Sequence, residues 1–212
     1  MSNYLFNIDQ TINDLSNKII IGFDEAGRGP LAGPVCAGAC ILNDDFPFEI
    51  LNDSKKLKRD KLLIAYDTII KYSSAYAIAW CTPKEIDELN ILWASMRAME
   101  KAYDLINKKY NKTIDIALVD GNKTPSLPIE TKAIIKGDSK YPQIMAASIL
   151  AKVTRDNYML CCDKKWPQYG FKKHMGYPTK YHREMIEKFG ISPIHRKSFT
   201  FKKNEEKQLE LF

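Results

Sequence analysis

The sequence predicts an α/β protein, a sheet flanked by helices, on three observations. Short β-branched or small apolar runs recur along the chain. Segments of helical periodicity separate them, and several of the apolar runs stop at an acid beside a glycine. Strands alternating with helices imply a sheet whose faces the helices cover.

In chain order, Lys18 to Phe23 reads as a buried strand with three isoleucines, ending at Asp24-Glu25 and a glycine-rich turn. Pro34 to Leu42 is a second strand, making a hairpin-like unit around that turn. Leu57 to Lys71 is helical, and Ser74 to Trp80 alternates as a third strand. Thr82-Pro83-Lys84-Glu85 has capping-box spacing with proline at the first helical position. Ile91 to Asn107 is a long amphipathic helix, and Ile114 to Val119 is a strand ending at Asp120-Gly121. Thr131 to Lys136 is a further strand ending at Gly137-Asp138, and Pro142 to Cys162 is a helix with Ser139 near its N-cap. Beyond it, Gly170, Gly176, Pro178 and Pro193 break the chain into short helices and loops. The organisation expected is an extension over 1–18, a core over 19–163, a basic substrate-binding region over 164–203 and a tail over 204–212.

With 212 residues, 45% hydrophobic and 27% charged, the chain has the balance of an ordinary globular protein, by default a monomer. It lacks a run of about 18 apolar residues, and Asp9 and Asp14 stand where a signal peptide would be basic and then apolar. A cytoplasmic protein without a membrane span is expected. Cys36, Cys40, Cys81, Cys161 and Cys162 form no C-x-x-C pair, and His174, His182 and His195 lack zinc-protease spacing, which argues against a zinc site. The net charge of +6 is uneven: residues 164–203 carry eleven Lys or Arg against Glu184 and Glu187. Trp166, Tyr169, Phe171, Tyr177, Tyr181 and Phe199 lie among those charges. That mix suits phosphate contacts plus stacking on sugars or bases, or a solvated helix face with a few core aromatics.

Asp24, Glu25, Asp120 and Asp138 all fall at strand ends, where open α/β sheets gather their ligands. Carboxylates converging without paired cations repel, and a divalent ion relieves that repulsion. Oxygen-only ligands favour Mg²⁺ or Mn²⁺. Taken alone, each acid reads first as a turn or cap residue. Beside the first pair, however, Gly27-Arg28-Gly29-Pro30 and Gly33-Pro34 force a tight turn whose amides are free of bulky side chains and can approach a sugar–phosphate backbone.

The stretch Asp24-Glu25-Ala26-Gly27-Arg28-Gly29-Pro30-Leu31-Ala32-Gly33-Pro34-Val35 resembles the opening motif of the ribonuclease HII family. Further blocks follow in family order: Asp53-Ser54-Lys55-Lys56-Leu57, Asp120-Gly121-Asn122, Lys136-Gly137-Asp138-Ser139, the run Ala146 to Asp156, Gly176-Tyr177-Pro178-Thr179 with His182, and His195-Arg196-Lys197-Ser198-Phe199. The resemblance implies a ribonuclease H-like fold: a mixed central sheet, flanking helices and a small C-terminal helical region. It implies that Asp24, Glu25, Asp120 and Asp138 bind two divalent ions and are the catalytic acids. The implied substrates are RNA–DNA hybrids and duplex DNA containing a single ribonucleotide. Gly27, Arg28 and Gly29 would sense the 2′ hydroxyl beside the cut, the atom separating RNA from DNA. Tyr177 would pack on the junction sugar, or else be a partly buried packing residue. Lys55 and Lys56 would contact phosphates, or form a solvated pair. Asp156 could be mistaken for the fourth metal ligand; Arg155-Asp156 is read instead as a structural polar pair. The seventeen residues before the first strand are too few for the N-terminal domain of the related ribonuclease HIII type.

Two rival classes stay open on the residues alone: a non-hydrolytic nucleic-acid binding module, and another nuclease of the same fold, such as a junction nuclease or a transposase. At the chain end, Gln208-Leu209-Glu210-Leu211-Phe212 follows a polar stretch and resembles the motif by which bacterial replication proteins dock on the sliding clamp. Gln208 would hydrogen-bond and Leu209, Leu211 and Phe212 would fill an apolar pocket, unless they pack on the chain's own body.

Overall fold

The structure, a computed structural model, describes residues 15, 17–51 and 59–199. The apolar runs at the start of the chain pair as expected. Strand β1 (Ile20–Ala26) lies antiparallel to β2 (Val35–Ile41), and β3 (Ala75–Cys81) continues antiparallel beyond β2. On the other side of β1, β4 (Ile116–Asp120) and β5 (Glu130–Ile134) run parallel to it. The result is a mixed sheet in the order β3-β2-β1-β4-β5.

Side-chain alternation along β1 decides which helix covers which face. Ile21 and Phe23 point into a core shared with α3 (Ile91–Asn107), whose Ala98, Met99 and Ala102 are fully buried there. The opposite face is covered by α4 (Pro142–Lys165), which α1 (Arg59–Tyr72) backs through Ala65 and Ile69. The close approach of α4 depends on a missing side chain: a Cβ on Gly38 of β2 would collide with the Ala147 carbonyl oxygen. The run Ala146-Ala147 supplies the small residues on the helix side, both fully buried. A third, smaller core lies under the C-terminal helices α5 (Phe171–His174) and α6 (Lys180–Phe189), where Phe171 and Ile186 meet Leu31, Ala32 and Met159.

The capping box forms at α2 (Pro83–Leu89): the Glu85 amide donates to Thr82 Oγ1 at 3.2 Å, and the Thr82 amide donates to Glu85 Oε2 at 2.7 Å. Two expectations differ. Strand β5 stops at Ile134, because Lys136 adopts a left-handed conformation (φ 57°, ψ 40°) and Gly137–Ser139 form a 3-10 turn. Ser139 does not cap α4; its hydroxyl donates to the Lys136 carbonyl, and Tyr141 occupies the cap position ahead of Pro142. None of the described helices is long and apolar enough to cross a membrane.

Because backbone, and not a flexible side chain, occupies the space beside Gly38, Gly38→Ala should overpack the sheet–helix seam. We expect about 1–3 kcal/mol of destabilisation. In thermal denaturation this is a fall of at least about 2 °C in Tm for a chain of this size.

Candidate active site

Parallel pairing of β1 with β4 matches Phe23 to Val119, so Asp24 and Asp120 emerge side by side at the carboxyl end of the sheet. Asp24 is buried, and burial, then the Glu25 charge, push its carboxyl well above the usual range, with Asp120 adding to the repulsion. The Ser148 hydroxyl and the Glu25 amide hydrogen-bond to it and partly offset the rise. Glu25 is also raised, by burial first and by Asp120, although its ion pair with Arg28 (3.2 Å) acts against this. Asp120 Oδ1 accepts from the amides of Gly137 (2.6 Å) and Asp138 (3.3 Å), which ties the turn bearing Asp138 to the end of β4.

Asp24, Glu25 and Asp120 are therefore close enough to repel one another, and Asp138 is tethered to Asp120. Among the described residues, however, no three acidic, His or Cys side chains are grouped as a closed metal site. Asp120 turns one oxygen to loop amides, and Glu25 leans to Arg28. The donor chemistry nevertheless fits Mg²⁺ or Mn²⁺, since such ions commonly take one or two carboxylates and complete their shell with water and substrate phosphate. Raised carboxyls at a shared sheet end are what a divalent cation would relieve.

Beside the acids, Gly27-Arg28-Gly29 forms one wall of a cavity of about 470 Å³ that Glu25, Asp138 and Tyr177 also line. The shape of that wall is set from behind by two buried guanidinium groups. Arg155 donates to the carbonyls of Pro34 (2.9 Å), Ala32 (3.1 Å) and Met175 (3.0 Å). Arg196 donates to those of Gly27 (2.5 Å), Arg28 (2.9 Å), Gly33 (2.9 Å) and Pro34 (3.2 Å). Arg155 is 1% exposed and Arg196 0%, and among the described residues neither has a carboxylate partner. Burial, then the charge of Arg155, pull Arg196 down to about 9. Gly27 (φ 97°) has no room for a Cβ against the Arg155 side chain. With their carbonyls turned inward to the guanidiniums, these loop residues hold their outer surface, and the half-exposed Arg28 side chain, towards the cavity.

The structure sorts the expected site residues. Tyr177 is 44% exposed and its ring stands 3.3 Å from where a Cβ on Gly29 would lie. Tyr181 is exposed too, but Tyr169 and Phe171 are core residues, so the expected stacking set shrinks at the basic end. Arg155 and Asp156 do not form the structural pair expected: Arg155 spends its donors on carbonyls, while Asp156 pairs with Lys152 at 2.8 Å and lines the cavity. Ser148, Lys152 and Asp156 recur every four residues along the face of α4 turned to the cavity. That spacing was available in the sequence, and was masked by the small-residue composition around it. Lys55 and Lys56, and Gln208, Leu209, Leu211 and Phe212, lie outside the described residues. Four of the five cysteines are buried and all are free.

The family model for Ribonuclease HII matches residues 21–202. Proteins named Ribonuclease HII from Francisella tularensis subsp. novicida (strain U112) and subsp. tularensis (strain SCHU S4 / Schu 4) are each 51% identical over 181 residues. The alignment covers 85% of this chain, and 96% and 95% of theirs. The crystal structure of the ribonuclease H2 from Pyrococcus horikoshii OT3 superposes with a TM-score of 0.69 at 27% identity, over 86% of this chain and 94% of that one. An Archaeoglobus fulgidus RNase HII solved in complex with PCNA gives 0.69 at 24% identity, over 90% and 98%. Bst-RNase HIII in complex with Mn²⁺ shares the fold, with a TM-score of 0.65 at 15% identity, over 82% and 63%.

The raised carboxyl of Asp24 carries a stability consequence. A carboxyl whose folded pKa lies above its unfolded value contributes stability at low pH and loses it as pH rises through the folded value. In EDTA at neutral pH, Asp24→Asn should therefore raise Tm by a few degrees, each ~1 kcal/mol being worth about 2–4 °C. Mn²⁺ should stabilise the wild type more than the variant. A lower Tm for the variant in EDTA would contradict the charge repulsion described.

Proposed function

The chain belongs to the ribonuclease HII family and is an endoribonuclease of the ribonuclease H type, and from that premise we propose that it hydrolyses the RNA strand of RNA–DNA hybrids and cuts 5′ of single ribonucleotides in duplex DNA. The products are a 3′ hydroxyl and a 5′ phosphate. The observation that carries this reading is the Gly27-Arg28-Gly29 wall, fixed beside the carboxylates and facing Tyr177 across Gly29.

Asp24, Glu25, Asp120 and Asp138 would hold two divalent ions, Mg²⁺ or Mn²⁺. When bound, such ions supply an activated water and charge neutralisation at the scissile phosphate and its leaving 3′ oxygen. The protein's own part is placement. Asp24 is held by Ser148 and the Glu25 amide, and Asp120 by the turn that carries Asp138. The loop at 27–29 and the Arg28 guanidinium face the sugar edge where a 2′ hydroxyl distinguishes ribose from deoxyribose. The Tyr177 ring packs against the junction sugar, and exposed lysines of the C-terminal region supply phosphate contacts that orient the duplex without reading it. A junction nuclease or transposase would have no use for a sugar-reading wall. A non-catalytic binding module would have no use for buried acids held in mutual repulsion.

Docking on the sliding clamp through Gln208, Leu209, Leu211 and Phe212 is a second reading, supported by the Archaeoglobus relative that was solved with PCNA. Deleting residues 208–212 should abolish clamp binding while activity on a short ribonucleotide duplex and Tm stay unchanged. A marked fall in Tm would favour fold-back packing.

On a DNA duplex with one ribonucleotide, Asp24→Asn or Asp120→Asn should lower kcat at least about 10³-fold at saturating Mg²⁺ and Mn²⁺. Replacing that one 2′ hydroxyl by hydrogen should remove cleavage. Arg28→Ala should lower kcat about tenfold or more with binding nearly unchanged, because phosphate contacts elsewhere supply most affinity. Equal cleavage of an all-DNA duplex would overturn the proposed substrate.

A further inference from the structure

The chain has three histidines, and the hydrolytic chemistry above uses none of them. All three meet behind the backbone of Tyr177. His174 is 8% exposed, His182 0% and His195 2%. The rings of His174 and His182 stack with centroids 4.3 Å apart, Phe171 meets His182 edge-on, and His195 lies 5.2 Å from His182.

Backbone amides fix where each proton sits, since an amide N–H can only donate. The Ser192 amide donates to His195 Nδ1 at 2.8 Å, so neutral His195 carries its proton on Nε2. That proton points at His182 Nε2, 3.1 Å away, which must then accept. His182 therefore holds its own proton on Nδ1, and donates it to the Tyr177 carbonyl at 2.9 Å. The Gly176 amide likewise donates to His174 Nδ1 at 3.2 Å, leaving His174 Nε2 to donate to the Tyr169 carbonyl at 2.9 Å. Burial favours the neutral rings that this chain of donors requires, and holds His182 and His195 down at about 4.

The peptide groups on both sides of the Tyr177 Cα are thus pinned: its carbonyl by His182 and by the Thr179 amide at 2.8 Å, its amide by the His174 carbonyl at 2.8 Å. The exposed ring has no comparable anchor, because among the described residues the Tyr177 hydroxyl makes no hydrogen bond. Its place over Gly29 depends on where the pinned backbone aims the Cα–Cβ bond.

We propose that His182 and His195 are positioning residues for cleavage: the chain of donors from the Ser192 amide through His195 and His182 to the Tyr177 carbonyl aims the Tyr177 ring at the junction sugar. This rests on the reading of Tyr177 as the residue that faces substrate. The relay makes opposite demands at its two members. An asparagine amide nitrogen lies about where Nδ1 was, and a glutamine amide nitrogen about where Nε2 was. At position 182 the donor needed is at Nδ1, so Asn keeps the bond to Tyr177 and Gln loses it. At position 195 the donor needed is at Nε2, so Gln keeps the link to His182 and Asn loses it. Loss of ring packing is common to all four variants.

The test uses the full-length chain and a DNA duplex with one ribonucleotide, in Mg²⁺. His182→Gln and His195→Asn should lower kcat about tenfold, the scale of one well-placed hydrogen bond, with KM within about twofold. His182→Asn and His195→Gln should recover most of that loss. In a Tyr177→Ala background, His182→Gln should add no further loss, because its effect runs through that ring. The proposal is overturned if the same amide is favoured at both positions, if kcat simply tracks Tm across the four variants, or if His182→Gln multiplies its full loss onto Tyr177→Ala. Wild-type kcat in Tyr177→Ala alone would instead overturn the reading of Tyr177, and leave the relay nothing to aim.

Discussion

Two buried guanidinium groups without carboxylate partners among the described residues are the constraint around which this site is organised. Among the described residues Arg155 and Arg196 make seven hydrogen bonds, all to main-chain carbonyls of residues 27–34 and 175. Burying a charge costs several kcal/mol unless its donors are satisfied, and here convergent peptide dipoles satisfy them. The arrangement fixes more than the loop. Arg155 comes from α4, Arg196 from the segment after α6, and their shared target follows β1, so sheet, central helix and C-terminal region are tied together at one point. Main-chain hydrogen bonds reinforce it: the Leu31 amide donates to Gly176, Gly33 to Ile194, and Arg196 to Leu31. The surface that faces the cavity is thus the outer side of a structure fastened from within.

The charges on the two sides of that loop have opposite characters. Behind it, cations are held where burial disfavours them. Beside it, Asp24 and Glu25 are held where burial and mutual repulsion disfavour anions. The guanidiniums are satisfied by peptide carbonyls and fasten the loop, whereas the carboxylates stay in mutual repulsion, which a bound divalent cation would relieve. Preorganisation of this kind spends folding free energy so that little rearrangement is needed on binding.

Much of this was legible in the sequence because acids and glycines at strand ends leave a local trace. Asp24, Asp120 and the capping box of Thr82 and Glu85 lie where short-range rules put them. What local rules missed depends on long-range partners. Arg196 sits in a run of basic residues and reads as a surface cation, and only the fold shows it turned inward onto a loop more than 160 positions away. Arg155 beside Asp156 reads as a pair, yet neighbours in sequence point to different sides of a helix. Among the lysines Tyr169 and Phe171 suit either stacking or a core, and only the fold shows them in the small core on which the C-terminal region closes. The end of β5 was misjudged because Lys136 takes a left-handed conformation that its residue type does not announce.

The isolated bridge between Ala32 and His195 has a consequence for how the protein comes into being. Synthesis delivers the strands that end at Asp24 and Asp120 first and the clasp that shapes the loop after β1 only once α6 has been made. Until Arg196 has been made, the turn after β1 lacks four of its inward hydrogen bonds and the far end of the relay is missing. A nascent chain therefore has its strand-end acids in place before the turn beside them is fastened, so the two walls of the cavity take shape at different stages of synthesis.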